Sequence, residues 1–114
     1  MVKVLFICSG NICRSPTAEG IFRDLVDRAG LAELITVDSA GTGAWHVGEP
    51  PDRRSCAAAL RHGIDISGQR ARRLNATDFE QADYLLAMDL ENLRNIESIC
   101  PPTSANKLAL YMHY

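Results

Sequence analysis

No apolar run in this 114-residue chain approaches the ~20 residues of a membrane-crossing helix. A helical membrane span is therefore not expected, and the N-terminal stretch 2–7 is too short for a signal-peptide core. An excess of one charge is missing too. Twelve Lys and Arg against 14 Asp and Glu leave a net −2, which gives no reason to expect nucleic acid or an anionic membrane as partner. There is no Cys-x-x-Cys pair and no His/Cys spacing suited to zinc, so neither metal nor cofactor is expected. Nothing marks the chain as secreted. Its four cysteines, Cys8, Cys13, Cys56 and Cys100, therefore read as reduced thiols in a cytoplasmic protein. Internal repeats, low-complexity segments and linkers are likewise absent. One domain over residues 1–114 is expected, burying roughly two-thirds of its unfolded surface.

What is present alternates strands with helices. Lys3 to Ile7 reads as a short buried strand with a turn signal directly after it. Ser15-Pro16 supplies an N-cap and a first-turn proline, and Ala18, Ile21, Phe22, Leu25, Val26 and Ala29 mark one helix face ending at Gly30. Leu34 to Asp38 is a second strand, and the Gly- and Pro-rich run 41–51 a long loop. Asp52 caps a helix running to Gly63, and Thr77 to Glu80 matches a reciprocal capping box for a short helix. Asp83 to Met88 is almost uniformly apolar, as a strand covered on both faces should be. Asp89 caps a helix carrying Leu90, Leu93, Ile96 and Ile99, which stops before Pro101-Pro102, and Lys107 to Met112 is a last strand. The pattern predicts an α/β fold: a four-stranded parallel sheet with helices on both faces. Ligands in such sheets bind beyond the carboxyl ends of the strands, where the first strand delivers Cys8.

The segment Cys8-Ser-Gly-Asn-Ile-Cys-Arg-Ser15 lies between that first strand and first helix. A thiol and a guanidinium six positions apart can close a loop around one tetrahedral oxyanion. The loop's N–H groups, from Ser9, Gly10, Asn11, Ile12, Cys13, Arg14 and Ser15, turn inward beside the helix N-terminus. Cys8 is then a candidate nucleophile held as thiolate, and Arg14 a bidentate ligand of two phosphoryl oxygens. Gly10 allows close backbone approach, and Asn11 tolerates a left-handed conformation while its amide pins the loop. Ser15 can cap the helix and donate to the thiolate. The chemistry indicated is phosphate-ester hydrolysis.

Other residues carry weaker signals. Cys13 could form a reversible disulfide with Cys8, or simply fill the underside of the loop. Cys56 and Cys100 suit core packing. His46 and His62 have no partner spacing for a metal or base, and Asp89 is most simply an N-cap. The clusters Arg53-Arg54 and Arg70 to Arg73 read as solvated surface.

The run from Val4 to Glu19 resembles the opening of the low-molecular-weight protein tyrosine phosphatases. The resemblance continues through Asp38 to Thr42, Trp45 to Asp52, Ala71-Arg72, Asp78-Phe79 and Ala87 to Asp89. It implies hydrolysis of a phosphotyrosine protein or small aryl phosphate through a phosphocysteine intermediate, without cofactor. Inorganic phosphate and other oxyanions would then inhibit. It also implies that Trp45 lines the slot for the phenyl ring, and that Ser39 joins Asn11 and Ser15 in a network supporting the loop. Gln69 stands where the family usually has a histidine in that network. The family's general acid, an Asp in an Asp-Pro motif beyond the fourth strand, has no counterpart: the chain has no Asp-Pro pair and no carboxylate side chain after Glu97. His113 is a poor substitute so near the end. The expectation is a phosphatase domain that is C-terminally short. Its rivals are arsenate reduction, which needs resolving cysteines that Cys56 and Cys100 do not pair to provide, and a non-catalytic phosphotyrosine-binding module.

Overall fold

The computed structural model describes residues 1–111. The chain forms β1 (Val2–Cys8), α1 (Arg14–Arg28), β2 (Ile35–Gly41), α2 (Arg53–Arg61), α3 (Ala76–Gln81), β3 (Tyr84–Ala87), α4 (Leu90–Glu97), a 3-10 turn over Pro102–Lys107 and β4 (Leu108–Leu110). All strand pairs are parallel, in the order β2-β1-β3-β4. Alternation along β1 splits the core in two. Leu5 and Ile7 pack with Leu85, Ala87, Phe79 and Ile96 on the face covered by α3 and α4. Val4, Phe6 and Cys8 face the other way, against Ala18 and Val26 of α1. From Val4 to Cys8 both faces of β1 are thus buried, which is why that stretch is continuously apolar.

The expected architecture is the observed one, with shifts at the ends of elements. Strands β1 and β2 run on to Cys8 and Gly41, which pair with each other and carry the sheet up to the loop. α1 begins at Arg14 with Cys13 as N-cap, so Ser15 is not the cap. Its hydroxyl is committed elsewhere, and Thr17 Oγ1 instead bonds the Cys13 carbonyl at 2.7 Å. Pro16 still falls in the first turn, where its missing N–H costs nothing. The capping box of α3 is Asn75 with Asp78, two residues earlier than the Thr77–Glu80 match. Asp52 and Asp89 cap α2 and α4 as expected. The 3-10 turn has no counterpart in the sequence reading. Met112, the expected end of the last strand, and His113 lie outside the described residues.

Candidate active site

Order 2-1-3-4 makes the carboxyl ends of β1 and β3 the switch point of the sheet, and the 8–15 loop crosses that crevice. Backbone bonds turn its carbonyls outward. Thr42 N–H donates to Cys8 O and Gly43 N–H to Ser9 O, each at 2.9 Å, and Asp52 N–H reaches Ile12 O at 2.6 Å. Among the described residues, no protein acceptor takes the N–H groups of Gly10, Ile12, Cys13, Arg14 or Ser15. The loop's carbonyls are thus taken up by the scaffold while these donors are left without a protein acceptor, an arrangement that can receive an anion.

Cys8 is buried at 3% exposure. Its sulfur accepts the Asn11 N–H at 3.2 Å and lies 2.9 Å from Ser15 Oγ. Ser15 Oγ also accepts from Asn11 Nδ2 at 2.9 Å, which frees its hydrogen to donate to the sulfur. The Asn11 N–H and the Ser15 hydroxyl therefore both direct a hydrogen at the sulfur. Asn11 Nδ2 gives its second hydrogen to Ser39 Oγ at 2.9 Å, and Ser39 Oγ donates to Glu19 Oε1 at 2.6 Å. Asn11 Oδ1 accepts the Arg72 N–H at 2.9 Å. The Asn11–Ser15–Ser39 network therefore forms with Glu19 and Arg72 attached to it. Gln69 makes none of these bonds: its Nε2 donates to Pro16 O at 3.1 Å, and its buried Oε1 has no partner among the described residues.

Arg14 follows at the first position of α1 and pairs with the Asp89 carboxylate. Asp89 thus serves twice, taking Arg14 on Oδ2 and the Asn92 N–H on Oδ1. The hydrogen bond to Asp89 holds the Arg14 pKa above its ordinary value. The Asn92 N–H, then Arg14, hold Asp89 below the usual carboxylate range. Asn92, buried at 1% exposure, donates through Nδ2 to Ser9 Oγ at 3.0 Å. The first turn of α4 therefore grips the loop near both its ends.

The remaining candidates fall around this centre. Trp45 is exposed at 67% and lies over Gly43, where a Cβ would meet its ring at 1.6 Å. His46 leans on Gly10 and pairs through Nδ1 with Glu49 at 2.8 Å, a partner its spacing did not reveal. All four cysteines are free, Cys13 exposed on the loop. Cys56, on α2, and Cys100, in the connection after α4, are partly buried, with their thiols on the Pro51 and Pro101 carbonyls at 3.6 and 3.5 Å. No cluster that could hold a metal occurs among the described residues. Sequence reasoning missed Glu19, Arg72, Asn92 and the Arg14–Asp89 pair. Their partners lie 20 to 83 residues away, and no local spacing announces them.

Residues 3–114 match the model of the low molecular weight phosphotyrosine protein phosphatase family. A Schizosaccharomyces pombe protein named as a low molecular weight phosphotyrosine protein phosphatase is 49% identical over 99% of this chain and 72% of its own length. The Bacillus subtilis low molecular weight protein-tyrosine-phosphatase YfkJ is 48% identical over 87% of this chain and 64% of its own. The crystal structure of YfkJ superposes with a TM-score of 0.96 at 42% identity, covering the whole chain and 72% of that structure. A protein tyrosine phosphatase from Entamoeba histolytica, with Hepes in its active site, gives 0.93 at 34% identity over 96% of this chain and 70% of that one.

Proposed function

The chain belongs to the low-molecular-weight phosphotyrosine protein phosphatases, and from that premise we propose that its 8–15 loop hydrolyses aryl phosphate monoesters, phosphotyrosine in proteins above all. The observation that carries the reading is the pair of donors on the Cys8 sulfur, in a loop whose other N–H groups have no protein acceptor among the described residues.

Cys8 is the nucleophile. Its thiolate attacks phosphorus, the S–P bond forms, and the P–O bond to the aryl group breaks with its electrons leaving on the phenolate oxygen. Water then attacks phosphorus, the S–P bond breaks, and phosphate departs with the thiolate restored. Loop N–H groups and the Arg14 guanidinium hold the three equatorial oxygens, where charge spreads in both transition states. Ser15 and Asn11 donate to the sulfur as it leaves phosphorus in the second step. Trp45 borders the approach for the phenyl ring, and phosphate or another tetrahedral oxyanion competes for the cradle. Cys13, five residues along the same loop, is the candidate redox partner of Cys8, a peroxide taking the two electrons when their disulfide forms. No helix among the described residues is long and apolar enough to cross a membrane, and four free thiols suit the cytoplasm.

The test is rapid mixing with p-nitrophenyl phosphate, whose leaving group needs little protonation. Wild type should release a burst of p-nitrophenol equal to the enzyme present, and Cys8→Ser none. Wild type that binds phosphate yet shows neither burst nor turnover would overturn the reading.

A further inference from the structure

Asn11 is the one non-glycine residue with positive φ among the described residues, at 58°. It is buried at 2% exposure, and its side-chain amide is fully used. The acceptor end of that amide is satisfied from outside the loop, by the N–H of Arg72. Where that N–H sits decides how the Asn11 amide is oriented. The orientation in turn decides whether Asn11 gives both hydrogens to the Ser15 and Ser39 hydroxyls.

Arg72 is held from several directions. Its carbonyl accepts the Gly41 N–H at 2.8 Å at the end of β2. Its guanidinium forks onto Asp78, Nη1 to Oδ2 at 3.0 Å and Nη2 to Oδ1 at 2.9 Å, and Nη2 also reaches Asp38 Oδ2 at 2.9 Å. Burial opposes this charge, but the hydrogen bonds and charges of the two carboxylates leave the Arg72 pKa above its ordinary value. Asp78 is itself buried in the capping box of α3. The circuit closes on the loop: Asp38 Oδ1 accepts the N–H of Ser39, whose hydroxyl takes the Asn11 hydrogen.

We propose that Arg72 is a positioning residue for the phosphate loop: its guanidinium, gripped by Asp78 and Asp38, sets its own N–H against Asn11 and thereby aims the loop's donors at the Cys8 sulfur. The inference rests on the phosphatase reading, in which that sulfur acts as thiolate. It assigns a long-range role to the ion-pair cluster of Arg72, Asp78 and the β2 residue Asp38.

Charge and position predict opposite signs, which makes the test sharp. Deleting a carboxylate by Asp78→Asn removes negative charge and by field alone would favour the thiolate. Loosening the clamp disfavours it, because the sulfur loses its donors. The pH profile of Cys8 alkylation by iodoacetate, read by peptide mass, needs no turnover. We expect its midpoint to rise by about one pH unit in Asp78→Asn, tenfold less thiolate below the midpoint. Turnover of p-nitrophenyl phosphate should fall about tenfold in kcat with a smaller change in KM. Arg72→Lys keeps the charge but not the fork, so it should recover only part of the loss seen in Arg72→Met. Arg70→Met, whose guanidinium bonds only nearby carbonyls, should behave as wild type. If Asp78→Asn fails to fold, Asp38→Asn, which replaces by an amide the carboxylate that receives Arg72 Nη2 and the Ser39 N–H, should show the same upward direction.

An unchanged or lowered midpoint in folded Asp variants, or full rescue by Arg72→Lys, would overturn the inference. Absence of turnover in wild type would overturn the phosphatase reading instead, while the alkylation midpoints still decide the role of Arg72.

Discussion

Arg14 is half-exposed and so is its partner Asp89. A pair so open to water adds little stability, so its importance lies in aim. One carboxylate oxygen holds one guanidinium nitrogen beside the cradle, and the planar fork keeps further donors for an oxyanion. Arg14→Lys preserves the charge and loses that fork. In steady-state assays with p-nitrophenyl phosphate we expect kcat to fall ~10²–10³-fold, with KM changing far less and the melting temperature within a few degrees of wild type. At this scale Cys8, Asn11, Arg14 and Ser15 were legible, because eight consecutive residues carry thiol, turn-former, guanidinium and hydroxyl together. Glu19 stood in plain view without a visible task, since its partner Ser39 lies on another element. Gln69 was read into the network by likeness, and its amide instead supports Pro16 in the first turn of α1.

Between elements, the loop depends on the end of β2 as much as on its own residues. Gly41 pairs with Cys8, and a Cβ there would lie 2.8 Å from Ser9 O and 3.1 Å from Asn11 N and Gly10 C. All three atoms are backbone and cannot swing aside. Gly41→Ala should therefore destabilise by about 1–3 kcal/mol in urea titration. Turnover of the folded fraction should also drop, because the loop itself must shift. Equal turnover per folded molecule would show that the loop tolerates the strain. Helix boundaries explain two differences from the sequence reading. A serine before proline is a good N-cap in isolation, but Ser15 Oγ is drawn to the Cys8 sulfur and α1 starts two residues sooner. Thr77 and Glu80 have capping-box spacing, yet the box forms at Asn75 and Asp78, where Asp78 also faces Arg72.

Across the molecule, one buried carboxylate links the loop network to pH. Glu19 is 4% exposed, and burial raises its pKa despite the Ser39 hydrogen bond and the Arg23 ion pair. A carboxyl whose folded value lies above its unfolded one binds its proton more tightly in the native state. Its contribution is therefore full below the ordinary glutamate range and lost as pH rises through the raised value. The melting temperature of wild type relative to Glu19→Gln should climb as pH falls through that window and level off below it. A difference independent of pH would mean that the carboxylate is as easily charged folded as unfolded. The same burial explains how much of the architecture was readable. Apolar runs from Val4 in β1 and from Leu85 in β3 report the two-sided core directly. The apolar stripes read on α1 and α4 are covered only in part: Ala18, Phe22, Val26, Leu93 and Ile96 pack inward, while Ile21, Leu25, Leu90 and Ile99 face solvent.

The order of strands and helices, the parallel sheet and the contiguous 8–15 loop after the first strand were determined by the sequence alone, because backbone periodicity and an eight-residue motif are local properties. Only the tertiary structure decided which distant groups hold that loop: Glu19 through Ser39, Asn92 on Ser9, Asp89 on Arg14, and Arg72 on Asn11. Hydrogen bonds depend on ångström separations that parallel crossovers create between residues far apart in the chain, and no spacing along it encodes them.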